Sequence, residues 1–68
     1  MGDMMQKNED PRITRSRNLI IDAFTELISE KDLQNIYVKE IANRANINRA
    51  TFYRHFANKE ELYKYYRV

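Results

Sequence analysis

Apolar and polar positions along the chain alternate with the period of short amphipathic helices. The first segment has apolar residues on one stripe of a helix of about four turns. They are Ile20, Ala23, Phe24, Leu27 and Ile28. Thr14 is the N-cap expected for this helix, and Asp32 is expected to end it in a left-handed conformation. Residues 1–11, a polar stretch ending in Pro11, are expected to be a disordered tail.

The second segment is shorter and predicts a helix of about two turns that begins near Tyr37 or Val38. Its apolar positions are Val38, Ile41, Ala42 and Ala45. The sequence Asn46-Ile47-Asn48 interrupts the pattern. Asparagine tolerates positive φ, so Asn46 is expected to reverse the chain. Ile47 is expected to reach the core, and Asn48 is a good N-cap for the next helix.

The third segment, residues 49–56, predicts a helix with two different faces. Phe52 and Phe56 are four positions apart and are expected to point into the core. The opposite face carries the small, basic and hydrogen-bonding side chains. These are Ala50, Thr51 and Arg54, with Tyr53 and His55 at the two sides of that face.

A fourth helix is expected to start at Asn58, with Glu61 three positions on in a capping-box arrangement. Leu62, Tyr65 and Tyr66 are its predicted inner face. No segment alternates with the period of a strand. The predicted fold class is therefore all-α, a homeodomain-like three-helix bundle with a helix-turn-helix, plus the start of a fourth helix.

Length and composition exclude several classes of protein. A chain of 68 residues makes one small domain with a marginal core. It has no cysteine, so it can form neither a disulfide nor a thiolate zinc site. The longest apolar run, residues 19–21, is too short to span a membrane, and no secretory signal is present. We expect a cytoplasmic protein with no membrane partner.

The chemistry of an enzyme is also missing from the pattern. His55 is the single histidine, which argues against a metal site. Ser16 and Ser29 have no histidine or acid in a triad-like arrangement. Glu60 and Glu61 suit the start of a helix and not an acid/base pair. We therefore expect no cofactor, no metal and no catalytic site.

Positive charge is concentrated in two places, although the net charge is only +2. Arg12, Arg15 and Arg17 form a short basic arm without an acid, and residues 39–59 carry five Lys or Arg against one Glu. Residues 18–38 carry four acids against one Lys. An anionic partner favours such segregation, but an ordinary solvated surface shows it too. Charge alone leaves both interpretations open.

Two short helices joined by a three-residue turn are the pattern of a DNA-binding helix-turn-helix, at about residues 37–56. The third helix would lie in the major groove. Arg49 and Arg54 can donate to guanine or to phosphate, and the methyl groups of Ala50 and Thr51 can pack on thymine. Further side chains are predicted to contact phosphates of the DNA backbone. They are Arg17, Tyr37, Tyr53, His55 and Lys59.

Three stretches, "IIDAFTELI", "VKEIANRANI" and above all "TFYRHFANKEEL", resemble the N-terminal DNA-binding domain of the TetR (tetracycline repressor) family of bacterial regulators. The resemblance covers residues 20–63 and places that domain in residues 12–68. It implies that Lys39, like Arg49, Ala50 and Thr51, lies near bases, and that Tyr53, His55 and Lys59 hold phosphates. It also implies a dimer on a palindromic operator. Dimerisation and binding of a small effector would then belong to a larger C-terminal domain absent from this chain, which is expected to be a fragment.

Some positions depart from the family pattern. Asp32 and Asn46 stand where the family usually has Gly, so the first loop is expected to be strained or differently shaped. Tyr37 stands where Thr or Ser usually caps the second helix, so that cap is expected to be missing. Phe24 stands where a small Ala is common, so the first helix is expected to pack differently.

The sequence thus predicts sequence-specific binding of double-stranded DNA by the head of a transcriptional regulator, a repressor in the favoured interpretation. An activator is an alternative. A protein-interaction module on the same scaffold is another, and a small enzyme is the third. The basic and hydrogen-bonding character of the outer face of the third helix favours DNA. For Arg44 two roles are equally compatible with the sequence: contact with DNA, and compensation of the dipole of its own helix.

Overall fold

The computed structural model describes residues 11–67, which form four α-helices. They are α1 (Pro11–Glu30), α2 (Val38–Ala45), α3 (Arg49–His55) and α4 (Lys59–Arg67). One turn of 3₁₀-helix, Leu33–Asn35, lies between α1 and α2. The predicted all-α class is confirmed, and the described residues contain no strand.

None of the described helices is both long enough and apolar enough to cross a membrane.

The start of α1 differs from the prediction. Thr14 lies inside the helix, which already includes Pro11, so Thr14 is not the N-cap. Proline suits the first turn of a helix because its φ is fixed near the helical value and its missing N–H is not needed there. The predicted disordered tail otherwise falls on residues 1–10, which lie outside the described residues.

The connection from α1 to α2 avoids a left-handed residue. Asp32 is extended (φ −70°, ψ 151°), so its predicted left-handed conformation is wrong. The chain turns instead through the 3₁₀-helix, where Asn35 N donates to Asp32 O at 2.9 Å and Ile36 N donates to Leu33 O at 3.0 Å. Because no positive φ is required, a loop without glycine forms here without backbone strain. Ile36 is fully buried and Leu33 packs against the core.

The turn between α2 and α3 forms as predicted. Asn46 has φ 62° and ψ 44°, and it is the only non-glycine residue with positive φ among those described. Ile47 packs against the core, and its N–H donates to Ala42 O at 3.0 Å. The Oδ1 of Asn48 accepts hydrogen bonds from Thr51 N at 2.9 Å and Thr51 Oγ1 at 3.1 Å. Asn48 therefore caps α3 and fixes where the helix begins.

The core is a single apolar cluster to which all four helices contribute. Its buried members include Ile20, Phe24 and Leu27 of α1, Ile41 of α2, Phe52 of α3 and Leu62 of α4. Phe56, the residue that ends α3, is 8% exposed. Both predicted aromatic anchors of the third helix, Phe52 and Phe56, are thus confirmed.

The inner face of α4 is only partly the predicted one. The N–H of Glu61 donates to Asn58 Oδ1 at 2.9 Å, so Asn58 caps this helix. Leu62 is buried, but Tyr65 and Tyr66 remain 49% and 37% exposed, and Tyr63 packs on the core instead. Tyr66 and Tyr63 both contact the buried Phe24 ring edge-on, at 5.3 Å and 6.2 Å between centroids, and the Tyr65 ring lies 5.5 Å from that of Phe56.

Replacing Phe24 by alanine should therefore strongly destabilise the domain. The ring is fully buried, so its removal leaves a cavity and costs about 3–5 kcal/mol of unfolding free energy. Leu19→Ala on the same helix is the matched control, because Leu19 is 41% exposed and its loss should cost within about 0.5 kcal/mol. Urea unfolding followed by circular dichroism measures both. Equal midpoints for the two variants would contradict this account of the core.

Candidate nucleic-acid interface

The side of α3 that faces away from the core is exposed and polar. Arg49, Ala50, Tyr53 and Arg54 are exposed, and Thr51 is half-buried. Phe52 holds the opposite side of the helix in the core. The outward side chains predicted from helical geometry are therefore available to a partner, with no large aliphatic side chain among them.

A first groove, of about 560 Å³, lies beside α3 where the N-terminal ends of α2 and α4 meet. It brings together five residues predicted to contact DNA. They are Tyr37, Lys39, Arg49, Tyr53 and Lys59. The unpaired N–H groups at helix N-termini carry partial positive charge, which favours an anion. Separated in sequence by up to 22 positions, these residues form one surface whose three cations suit a phosphate, and Glu40 and Glu60 line the same groove.

The start of α2 is capped in an unexpected way. Tyr37 provides no side-chain cap, as predicted, but the helix end is not left open. Glu40 Oε1 accepts a hydrogen bond from Tyr37 N at 3.1 Å, and Glu40 Oε2 accepts one from Lys31 Nζ at 2.6 Å. The Lys31 bond, and then the Tyr37 N–H, lower the pKa of Glu40. The prediction of a missing cap is thus corrected, because an ionised carboxylate in the first turn takes over part of its task.

Lys59 is more deeply engaged in the protein than its predicted role suggested. Its Nζ donates to Leu33 O at 2.8 Å and to Ile36 O at 2.6 Å. The ammonium also lies 5.3 Å from the centroid of the Tyr37 ring, within reach of a cation–π interaction. An ammonium has three N–H donors, so one remains for a phosphate.

A second groove, of about 640 Å³, lies on another side of α3, between that helix and the first turns of α1. It is lined by Arg12, Ile13 and Ser16 from α1 and by Thr51, Arg54 and His55 from α3. Ser16 was not among the residues predicted to contact DNA. Its position between two arginines of the basic arm was the only signal available. Arg17, also in α1, contributes positive charge near His55.

The imidazole of His55 is biased toward its neutral form. Burial lowers its pKa, and the positive charges of Arg17 and Arg54 lower it further. A neutral imidazole still carries one N–H donor. His55 can therefore donate to an oxygen in the second groove, and a phosphate placed there would offset the two arginine charges.

Arg44 lies at neither groove. Its guanidinium bonds Glu30 of α1 at 2.8 and 3.3 Å and approaches Glu26 at 3.4 Å. The Arg44 hydrogen bond lowers the pKa of Glu30, and the same bond raises the pKa of Arg44. Neither of the two roles considered for Arg44 describes this contact, which ties α2 to the acidic side of α1.

Comparison with known proteins agrees with this arrangement. Residues 20–66 match the family described as "Bacterial regulatory proteins, tetR family". The chain belongs to the tetR family. Its helices form the N-terminal DNA-binding domain of that family.

Two relatives of this tetR-family chain carry names of the same kind. It is 45% identical over 58 residues to the uncharacterized HTH-type transcriptional regulator YxbF of Bacillus subtilis (strain 168), a match that covers 84% of this chain and 15% of YxbF. It is 39% identical over 49 residues to an uncharacterized HTH-type transcriptional regulator of Haemophilus influenzae (strain ATCC 51907 / DSM 11121 / KW20 / Rd), covering 71% of this chain and 24% of the relative. The chain thus spans less than a quarter of either length. No solved structure matches the chain at a significant level.

The pKa of His55 should respond to Arg54. Replacing Arg54 by glutamine removes one positive charge that disfavours the protonated imidazole, so the pKa of His55 should rise. His55 is the only histidine, so its ring protons can be followed through a pH titration by NMR without ambiguity. Arg49→Gln removes the same charge from the same helix but lies in the first groove, and should leave this pKa nearly unchanged. A pKa that stays constant or falls in Arg54→Gln would contradict the electrostatics of the second groove.

Proposed function

We propose that this chain binds double-stranded DNA in a sequence-specific manner and serves as the head of a transcriptional repressor. The observation that carries the proposal is the position of α3, whose exposed polar side lies between two grooves rich in cationic side chains. A helix placed in the major groove has a phosphate backbone on each side of it. The two grooves would provide hydrogen-bond donors to both phosphate backbones.

The base-reading side chains in this proposal belong to the exposed side of α3 and to the first turn of α2. Arg49, Arg54 and Lys39 are exposed cations that reach guanine O6 and N7 or nearby phosphates. Ala50 presents a methyl group with no bulk around it, which allows a close approach of α3 to the base edges. Thr51 presents a second methyl group, while its hydroxyl is occupied by Asn48.

Phosphate contacts are divided between the two grooves. Tyr37, Tyr53 and Lys59 belong to the first groove. His55 belongs to the second, with Arg17 close enough to influence its charge. Such contacts fix the register of a protein on the duplex without reading sequence, and they make affinity dependent on salt.

Dimerisation on a palindromic operator, repression by occlusion of a promoter and control by a small effector are further parts of the proposal. Their support is the family membership and the greater length of both relatives. We place dimer and effector contacts outside the described residues. Such a protein would work in the cytoplasm and catalyse no reaction. The cationic and hydrogen-bonding outer side of α3 favours DNA over a protein partner, because clustered Lys and Arg side chains attract the anionic duplex.

The proposal can be tested by the salt dependence of DNA affinity together with the replacement of Arg49. Affinity of the chain for duplex DNA, measured by fluorescence anisotropy, should fall steeply between about 50 and 200 mM salt. Arg49→Ala should weaken binding to DNA selected by the wild-type chain by about tenfold, as loss of one base or phosphate contact does. Lys64→Ala is the matched control, because Lys64 lies on α4 outside both grooves and pairs with Glu61 at 3.6 Å.

Affinity that is insensitive to salt would refute DNA binding as the function. An equal effect of Arg49→Ala and Lys64→Ala would refute contact of DNA with Arg49. A protein partner whose binding survives both Arg49→Ala and Tyr53→Phe, in a chain that ignores DNA, would instead establish the protein-interaction interpretation.

A further inference from the structure

The position of Lys59 is unfavourable for a lysine unless something offsets it. Lys59 is the first residue of α4, where the helix dipole repels a cation and favours the acids Glu60 and Glu61 that follow. The ammonium is stabilised instead by two carbonyl oxygens, Leu33 O and Ile36 O. Lys59 is also only half-buried, so it could turn outward at little cost in packing, yet it points to the loop between α1 and α2. The contacts of the Lys59 ammonium with this loop therefore suggest a function for a lysine at the start of α4.

Those contacts converge on Tyr37. Ile36 O belongs to the residue directly before Tyr37, and the Lys59 ammonium lies 5.3 Å from the centroid of the Tyr37 ring. The ring is otherwise weakly held, since Tyr37 is 61% exposed and its side chain makes no capping hydrogen bond. An exposed tyrosine loses rotamer freedom when it binds a ligand, and a contact that restricts the ring beforehand reduces that loss.

We propose that Lys59 is a positioning residue for DNA binding, whose ammonium holds the Tyr37 ring and the preceding loop so that the Tyr37 hydroxyl is presented to a backbone phosphate. The inference rests on the proposed function and assigns Lys59 an indirect part in it. Two of its three N–H donors are already used within the protein. These two bonds hold the ammonium against the loop between α1 and α2 and leave one N–H for a direct contact with phosphate. The proposed contribution of Lys59 to affinity runs mainly through Tyr37.

A double-mutant cycle separates positioning from direct contact. The variants are Lys59→Met, Tyr37→Ala and the two combined, each tested for binding to a short mixed-sequence duplex, because backbone contacts do not depend on sequence. Methionine keeps the length of the side chain and removes its charge. Lys64→Met, one turn further along α4, calibrates the general effect of losing one cation.

The positioning role predicts strong coupling between the two residues. Lys59→Met should weaken binding by about tenfold when Tyr37 is present, the loss expected for one hydrogen bond to a charged group. In the Tyr37→Ala background the same change should have no more effect than Lys64→Met. The slope of log affinity against log salt should also match that of Lys64→Met. Equal losses in both backgrounds, with a slope reduced by about one relative to Lys64→Met, would show direct phosphate contact and overturn the inference.

The geometry can also be tested without DNA. A ring above the end of the Lys59 side chain should shift the ε-methylene protons of Lys59 upfield in NMR spectra, and Tyr37→Ala should abolish that shift. Thermal unfolding of each variant checks that it remains folded. Unshifted ε-methylene protons in the wild-type chain would overturn the inference whatever the binding data show.

Failure of this inference can be distinguished from failure of the proposed function. If the wild-type chain binds duplex DNA with a steep salt dependence but the two losses are additive, only the positioning role of Lys59 is wrong. If the wild-type chain does not bind duplex DNA at all, both the proposed function and the positioning role are wrong.

Discussion

The burial of Phe52 is the interaction on which the rest of the structure depends. A helix of seven residues is too short to be stable in water by itself, so α3 is helical because packing holds it. Phe52 is fully buried, with its ring centroid 5.8 Å from that of Phe56. This attachment of one side of α3 fixes the direction of the other side, because helical geometry sets the angle between them. The exposure of Arg49, Tyr53 and Arg54 is a consequence of that packing.

The same arrangement of helices determines which charged side chains pair with each other and which remain without a carboxylate partner. The acidic side of α1 pairs with Arg44 of α2, and Lys31 pairs with Glu40. Such pairs, which remain at least one-third exposed, contribute little to stability. The Arg44 pair balances charge on the acidic side of α1, whereas Lys31 balances Glu40 at the edge of the first groove, which Glu40 lines. Lys39, Arg49 and Arg54 have no such carboxylate partner among the described ion pairs, so the positive potential is concentrated around α3. A small net charge is thus compatible with a strongly cationic face.

Features that depend on neighbouring residues in sequence could be predicted, and features that depend on distant ones could not. The left-handed Asn46, the cap at Asn48 and the paired Phe52 and Phe56 follow from rules that span four residues or fewer. The conformation of Asp32 was predicted wrongly because a left-handed cap and a 3₁₀ turn are both acceptable at this position on local grounds. The structure has the 3₁₀ turn, and Ile36, which follows that turn, is buried. The packing of Tyr63 on the core was missed because it depends on Phe24 of α1, which lies 39 positions earlier in the sequence.

The candidate interface shows the same division. That Ala50 and Arg54 lie on the outer side of α3 could be predicted from helical periodicity. The meeting of Tyr37 with Lys59 in one groove was not predicted, since 22 positions separate them in sequence. The bonds of Lys59 to Leu33 O and Ile36 O, which span 26 and 23 positions, had no signal in the sequence.

The measurement that tests the account most directly is a map of amide chemical-shift changes as duplex DNA is added to the isotopically labelled chain. Binding through α3 predicts the largest changes at Arg49–His55 and at the first turns of α2 and α4, with small changes near Glu26 and Glu30 on the acidic side of α1. The account is contradicted if the largest changes fall on that acidic side, or if saturating DNA leaves the amides of α3 unchanged.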